Sequence, residues 1–276
     1  MQIVKNTTIL FDPDNVMKKY LLIVMAIMFM AATSAYGTQK SEKVMSIQPF
    51  SVLNVLGNLE VVYEQSKTCE VRLVGDANDI NQIYIENSGA SLNIRKAAKQ
   101  IGNVYIDTSK KSGKFNVVIK VKAPEVSVFN LAGGGYIIVD NMSGNKVTFN
   151  QAGSGEIAVG SITASNTFFN NAGSGSIRID EVKADNVCLS MAGSGVISGK
   201  VSGADKLNCT LTGIGRIYVS GKADKYGKVI IGSGSIDDSM LKYDSISTTS
   251  THTNVIKDSD ASSAPKSPDG IINAQP

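Results

Sequence analysis

Tryptophan is absent from this 276-residue chain, and there is a single histidine, His252. One imidazole leaves neither a Ser/His/Asp triad nor a histidine-based metal centre much to work with. His252 sits in a polar stretch, where a lone histidine is a solvated side chain. The three cysteines, Cys69, Cys188 and Cys209, show no CxxC spacing and are too few for a disulfide framework. Charge of one sign is also missing. The 27 Lys and Arg are interleaved with 24 Asp and Glu, for a net charge of +3 and no basic block. That balance gives no electrostatic footprint for nucleic acid. Prolines number six, and Leu- and Ala-rich helical stretches are missing after residue 40.

Glycine, valine, isoleucine and threonine are plentiful instead, with 26 glycines. A chain that is 42% hydrophobic and 18% charged is globular rather than disordered. This composition favours strands joined by turns.

The N-terminus reads as an address. Lys18-Lys19 precede an apolar run from Tyr20 to Ala32, followed by the small residues Thr33, Ser34, Ala35 and Gly37. That is a charged n-region, a short apolar segment and a small-residue cleavage site. The run is short for a membrane span, which needs about 20 apolar residues. Residues 1–37 are therefore expected to be an N-terminal extension and signal peptide, with cleavage after Ala35 or Gly37 and translation starting at Met17. No cysteine follows the apolar run closely, which argues against a lipoprotein anchor. The expected localisation is exported, in the periplasm or at the cell surface, with no stable membrane span after cleavage.

The main signal is a repeat. AGGG begins at Ala132, AGSG at Ala152, Ala172 and Ala192, and TGIG at Thr212, each twenty residues apart. A last GSG, Gly232–Gly234, comes one residue early. Three residues before the Ala stand Phe129, Phe149, Phe169, Leu189 and Cys209. Two before it stand Asn130, Asn150, Asn170, Ser190 and Thr210. Five after it stand Ile137, Ile157, Ile177, Ile197 and Ile217, and seven after it Val139, Val159, Ile179, Gly199 and Val219. A column ten after it, Met142, Ile162, Val182, Ser202 and Lys222, decays toward the end.

Each repeat thus predicts two short alternating strands, one ending at the Ala and one starting after GxG. A lone repeat cannot bury its apolar face, whereas stacked repeats can. The fold class is all-β: a parallel β-helix or β-solenoid with GSG-containing coils of twenty residues. GxG is read as a structural turn needing positive φ rather than as a ligand groove, and the Ala before it as an inward corner. The Asn column predicts a side-chain amide ladder or a run of Asx turns.

Residues 38–244 read as one solenoid domain. Within it, 125–236 are regular repeats and 45–124 are irregular capping coils. The candidate strands in that first part are Phe50–Leu56, Leu59–Gln65, Glu70–Val74, Ile83–Glu86, Ser91–Arg95, Gly102–Asp107 and Phe115–Lys122. Residues 245–276, with SISTTSTHT and SDASSAPKSPDG, read as a disordered polar tail, or else as a segment laid across the last coil.

Several stretches resemble a known family. Phe50-Ser51-Val52-Leu53-Asn54-Val55-Leu56-Gly57, then Leu59–Gln65, look like its opening pair of strands. Gly75-Asp76, Leu92-Asn93-Ile94 and the GSG series follow in the family's order. The resemblance is to the head GIN domain group, labelled putative auto-transporter adhesin and common in Bacteroidetes, over roughly residues 45–236. It implies a β-solenoid, export and a surface or envelope role, and it supplies no catalytic residues.

Enzymes on β-helices need clustered acids or bases on one outer face. The outward column after GxG reads Tyr136, Glu156, Ser176, Val196 and Arg216, and the next reads Ile138, Ala158, Arg178, Ser198 and Tyr218. No carboxylate pair recurs on adjacent coils. Asp140 and Asp180 share a column two coils apart, about 10 Å at strand spacing, with Gly160 between them. Calcium-binding repeats need Asp after the glycines, where this chain has Ile. In the same register Cys209 points inward and Cys188 outward beside Asn208, so no Cys188–Cys209 disulfide is expected.

No catalytic, cofactor-binding or metal-ligating residue is assigned, and no cofactor is expected. The expected function is an exported binding or adhesion protein without catalysis, its partner a glycan or a cell-surface protein. Two other readings stand beside it: a structural scaffold assembling through solenoid ends, and a carbohydrate-active β-helix enzyme using Asp140, Asp180 or Glu156.

Overall fold

The computed structural model describes residues 40–96, 98–101, 104–107 and 115–251. The expected signal peptide of residues 1–37, the expected start at Met17, and residues 252–276 with His252 lie outside them.

The strands in the first part are β1 (Ser41–Ser46), β2 (Val52–Leu56), β3 (Glu60–Gln65), β4 (Glu70–Gly75), β5 (Ile83–Ser88), β6 (Ser91–Lys96), β7 (Ala98–Ile101), β8 (Val104–Asp107) and β9 (Val117–Ala123). One turn of helix, α1 (Ala77–Ile80), interrupts them. The repeats supply β10 (Val128–Gly133), β11 (Tyr136–Val139), β12 (Met142–Gly153), β13 (Glu156–Gly173), β14 (Ser176–Gly193), β15 (Val196–Ser202), β16 (Lys206–Gly213), β17 (Arg216–Ile231) and β18 (Ser235–Thr251). All except the β7–β8 hairpin pair belong to one continuous sheet wound into a β-solenoid of stacked parallel coils.

Each coil has three sides. On the first, Phe129 pairs with Phe149, Phe149 with Phe169, Phe169 with Leu189 and Leu189 with Cys209. On the second, Ile137, Ile157, Ile177, Ile197, Ile217 and Ile236 stack in register. The third, which the repeat pattern did not predict, runs through Met142–Gly144 and Ile162–Ala164. Its inward columns, Ile162–Val182 and Ala164–Ala184, make an alternation only three residues long, too short to stand out in the sequence.

Like residues stack on like residues through the core. The rings of Phe129 and Phe149 lie 4.8 Å apart and 10° from parallel. Tyr63 of β3 closes that stack edge-on, 5.0 Å from Phe129, and its hydroxyl donates to the Ala123 carbonyl at 3.0 Å. Offset or edge contacts of this kind add about 0.5–1.5 kcal/mol beyond area burial.

The decaying third column has a simple cause. Between Ile179 and Val182 the register slips, and Val182 pairs with Val201 instead of Ser202. Val201 is buried, and Gly221 and then Leu241 continue the column. A fixed period of twenty therefore followed the wrong residues beyond Val182. A nineteen-residue step, from Lys206 to Lys225, also brings the last GSG one residue early.

The first part contains one coil in the repeat's own register. Val52 pairs with Val128, and Glu60 with Tyr136. The remaining strands depart from the expected irregular coils. β6 lies parallel to β2 and β9 parallel to β3, but β5, β4 and β1 are antiparallel to their neighbours. Alternation places side chains on faces and says nothing of neighbour direction, so the sequence could not show this.

Residues 245–251, expected in a disordered tail, form the end of β18. They pair in parallel with Lys225–Ile231. Ser and Thr cannot build a core, but they need only one paired neighbour here, and β-branched residues suit a half-exposed strand.

Candidate interaction face

The outward residues of the first side form an amide ladder. Asn54 Nδ2 donates to Asn93 Oδ1 at 2.7 Å, and Asn130 Nδ2 to Asn54 Oδ1 at 2.7 Å. Asn150 Nδ2 donates to Asn130 Oδ1 at 2.8 Å, and Asn170 Nδ2 to Asn150 Oδ1 at 2.8 Å. Ser190 and Thr210 continue the column. The expected ladder thus forms and reaches two coils further, to Asn54 and Asn93. Each link uses one amide hydrogen and one lone pair, leaving a second N–H and a second lone pair for an outside partner.

From β2 through the repeats the flanking columns carry no charge; beyond β2, at Asn93 of β6, Arg95 joins the Leu56–Ala132 column and Glu86 stands opposite Asn93. On one side run Val128, Thr148, Phe168, Cys188 and Asn208. On the other run Ala132, Ala152, Ala172, Ala192 and Thr212, all exposed. This corrects the expected inward Ala. The corner is filled by the preceding residue, Leu131, Gln151, Asn171, Met191 or Leu211, and each of these is buried. Lysines stand only at the margin, with Lys146 above the Phe168 ring at 5.3 Å.

Several ion pairs stand on the other sides. On the second side, Arg178 meets Glu156 at 3.8 Å, Lys122 meets Glu64 at 3.2 Å, and Arg72 bonds Glu42 and Glu70. Lys200 meets Glu181 at 3.0 Å toward the third side. The Lys200 charge and a hydroxyl bond from Ser202 hold the Glu181 carboxyl below its ordinary range, the hydroxyl bond being the larger cause. The first side is therefore neutral along β2 and the repeats, and charge is carried by the other sides and by the β5–β6 end.

The GxG turns are spent on stacking. Ser154 and Gly155 N–H both donate to the Gly133 carbonyl, at 3.1 and 2.8 Å, and Ser174 and Gly175 repeat this on Gly153. With both amides occupied by the coil below, the turns offer no anion nest to a ligand.

The enzyme candidates do not converge. Asp140 and Asp180 are exposed, and Gly160 stands against Asp140 between them. Burial raises the Asp180 pKa, and the Arg178 charge opposes the rise. Glu156 is engaged by Arg178. No group of three His, Cys, Asp or Glu among the described residues could hold a metal ion.

Two polar features escaped the sequence. Gln151 and Asn171 are buried in the otherwise apolar corner column. Asn171 Nδ2 donates to the Gly175 carbonyl at 2.7 Å, while neither amide atom of Gln151 has a partner among the described residues. The second feature closes the far end of the core. Lys228 follows Cys209 in the inward column and bonds Asp238 Oδ2 at 2.8 Å and the Ile236 carbonyl at 3.1 Å. Tyr226 is buried beside it. Burial, then the nearby Cys209 and Asp238, push the Tyr226 phenol up. Burial pushes the Cys209 thiol to about 12, so it is a poor nucleophile. The cluster is a polar plug on the core. A lysine in the Phe column could have revealed it, had the nineteen-residue step been recognised.

These features define a parallel β-solenoid with one neutral, laddered side. The chain belongs to the family described as putative auto-transporter adhesin, head GIN domain, whose model matches residues 49–180 and 165–257. No curated protein matches it. Among solved structures it is similar to a putative adhesin from Bacteroides fragilis, with 17% identity and a TM-score of 0.61 over 78% of this chain and 97% of that one. A putative adhesin from Parabacteroides merdae is 20% identical, with a TM-score of 0.58 over 79% and 95%. A putative lipid binding protein from Parabacteroides distasonis is 22% identical, with a TM-score of 0.52 over 78% and 94%. These likenesses establish a shared fold.

Proposed function

We propose that this is an exported, non-catalytic binding protein of the cell envelope or surface that holds an uncharged polar partner against its neutral side. The carrying observation is the Asn54–Asn130–Asn150–Asn170 run of the ladder, between columns that bear no charge along β2 and the repeats. A flat array of half-spent amides and methyl groups suits glycan hydroxyls or the polar surface of another envelope protein. Such a partner loses no strongly hydrated charge on docking. Repeats make the array long and regular. Membership of an adhesin-type family and the apolar run of residues 20–32 support export.

The test pairs glycan-array and whole-cell binding with two exposed substitutions, Ala152→Glu and Ala172→Arg, and a second-side control, Glu156→Gln. Binding lost in the first two and kept in the third is the expected result. Equal binding by all four proteins, or no binding to any glycan or cell, would sink the proposal. Protease shaving of intact cells, with a periplasmic marker, then separates surface from periplasm.

A further inference from the structure

Among the described residues the last coil ends in an edge with no further strand against it, and that edge has its own symmetry. Among the described residues β18 pairs only with β17. Its start is shielded in two ways familiar from edge strands: a register shift after Tyr218 and the acidic pair Asp237-Asp238. From Met240 to Thr249 that shielding stops. Only Lys242 and Asp244 carry charge there.

Two exposed apolar side chains, Tyr243 and Ile246, lie on this stretch in register with the inward columns of the coil below. Tyr243 pairs with the buried Ala223, and Ile246 with the buried Tyr226. They are 41% and 46% exposed, and the Tyr243 ring lies 5.3 Å from that of Tyr226. Between them the chain turns the corner from the third side to the first through Asp244-Ser245, just as Asp224-Lys225 does one coil below. Inward residues thus flank a two-residue corner symmetrically.

We propose that two copies of this chain associate through this end, with β18 pairing antiparallel to the partner's β18 about a twofold axis at the Asp244–Ser245 corner. This goes beyond whatever the neutral side binds and does not depend on it. An isologous contact brings one patch onto itself. A twofold at the corner makes both strands bend together. It sets Tyr243 opposite the second copy's Ile246, Leu241 opposite its Thr248, and Met240, 77% exposed, opposite its Thr249. Inward residues then face inward residues, as a shared core requires, and a shift by one residue would break that match. A head-to-tail fibre would instead have to join this edge to the charged, six-residue β1 or to β5 at the other end. The two Asp244 carboxylates flank the axis, so added salt strengthens the association by screening them.

The test is light scattering on residues 38–276, which contain every described strand. A mass twice that of one chain is expected, falling to the single-chain mass on dilution. Tyr243→Lys and Ile246→Lys should leave a monomer whose far-ultraviolet dichroism still reports strand. In a background with the three native cysteines replaced, Met240→Cys with Thr249→Cys should form an inter-chain disulfide, and Met240→Cys alone should not. A monomer at every concentration overturns the proposal, and that includes the case in which residues 252–276 cover the end. It is equally overturned by a dimer that survives both lysines, by open-ended polymers, or by no cross-link between positions 240 and 249.

Discussion

The Phe149 ring lies 5.2 Å from the Phe169 ring, one coil away, and within 3° of parallel to it. Phe129 stacks on its other face, so Phe149 fills a slot closed on both sides. Phe149→Ala should cost about 3–5 kcal/mol in chemical denaturation, as buried aromatic truncations do. Phe149→Leu should cost clearly less, because Leu53 and Leu189 already occupy this column. Equal losses would mean that ring stacking, not volume, dominates the column.

Gly173 combines a φ of +129° with no room for a side chain. A Cβ there would stand 2.5 Å from the Gly153 carbonyl oxygen. That oxygen also accepts the N–H groups of Ser174 and Gly175. The backbone conformation alone should cost Gly173→Val about 1–3 kcal/mol, and displacement of two stacked turns adds to it. Thermal unfolding should show a large drop in Tm; a variant melting with the parent would contradict this account of the turn.

Asn150 donates to Asn130 and accepts from Asn170. An aspartate there keeps the acceptor, loses the donor and sets a carboxylate against the Asn130 oxygen. Asn150→Asp should therefore destabilise by about 1–3 kcal/mol at neutral pH. Part of the loss should return in acid, because a protonated carboxyl can donate again. Denaturant midpoints measured at neutral and acidic pH would check both parts.

Gln151 sits between Leu131 and Asn171 in a column that continues with Met191 and Leu211. Both its amide atoms are buried without a partner among the described residues. Gln151→Leu should raise stability by about 1–3 kcal/mol, the cost of an unsatisfied buried polar group. A lower Tm would show that the amide is satisfied in solution, for example by an ordered water.

Cys209 is buried and Cys188 half-exposed, on opposite faces of β14 and its neighbour β16. Under native conditions an alkylating reagent should label Cys188 and spare Cys209, and non-reducing digestion should find no bond between them. Burial raises the Cys209 pKa from 9.0 to about 12. The fold thus favours the neutral thiol. Its contribution is fully present below pH 9 and is lost as pH rises toward about 12. Cys209→Val should flatten that part of the alkaline stability profile. An unchanged profile would assign the loss to Tyr63 or Tyr226, whose phenols are also pushed up by burial.

The legible parts of this protein were those with a strict period. The Phe, Ile and Asn columns stand where a spacing of twenty places them, and β2 to β6, β8 and β9 fall within a few residues of their alternating segments, whereas β1 and β7 matched no expected strand. The neutral side was half-legible. Asn130, Asn150 and Asn170 marked the ladder, but Asn54 and Asn93 join it across gaps of 76 and 39 residues that no repeat announces. The buried Gln151 and the Lys228–Asp238 plug were hidden because they are polar residues in inward columns, and the plug lies beyond a change of period.

By itself the sequence determined the coil and its contents, because a short coil buries nothing alone and like residues must stack on like. Direction, ends and sides were decided only in three dimensions. Alternation is blind to whether a neighbour runs parallel or antiparallel, so β1, β4 and β5 could have been coils. Serine and threonine are compatible with both tail and strand, and only the free edge of β17 made 245–251 a strand. The neutral stretch exists because β2 and the repeats, far apart in sequence, bring their uncharged residues to one surface, while the same winding carries ion pairs to the others.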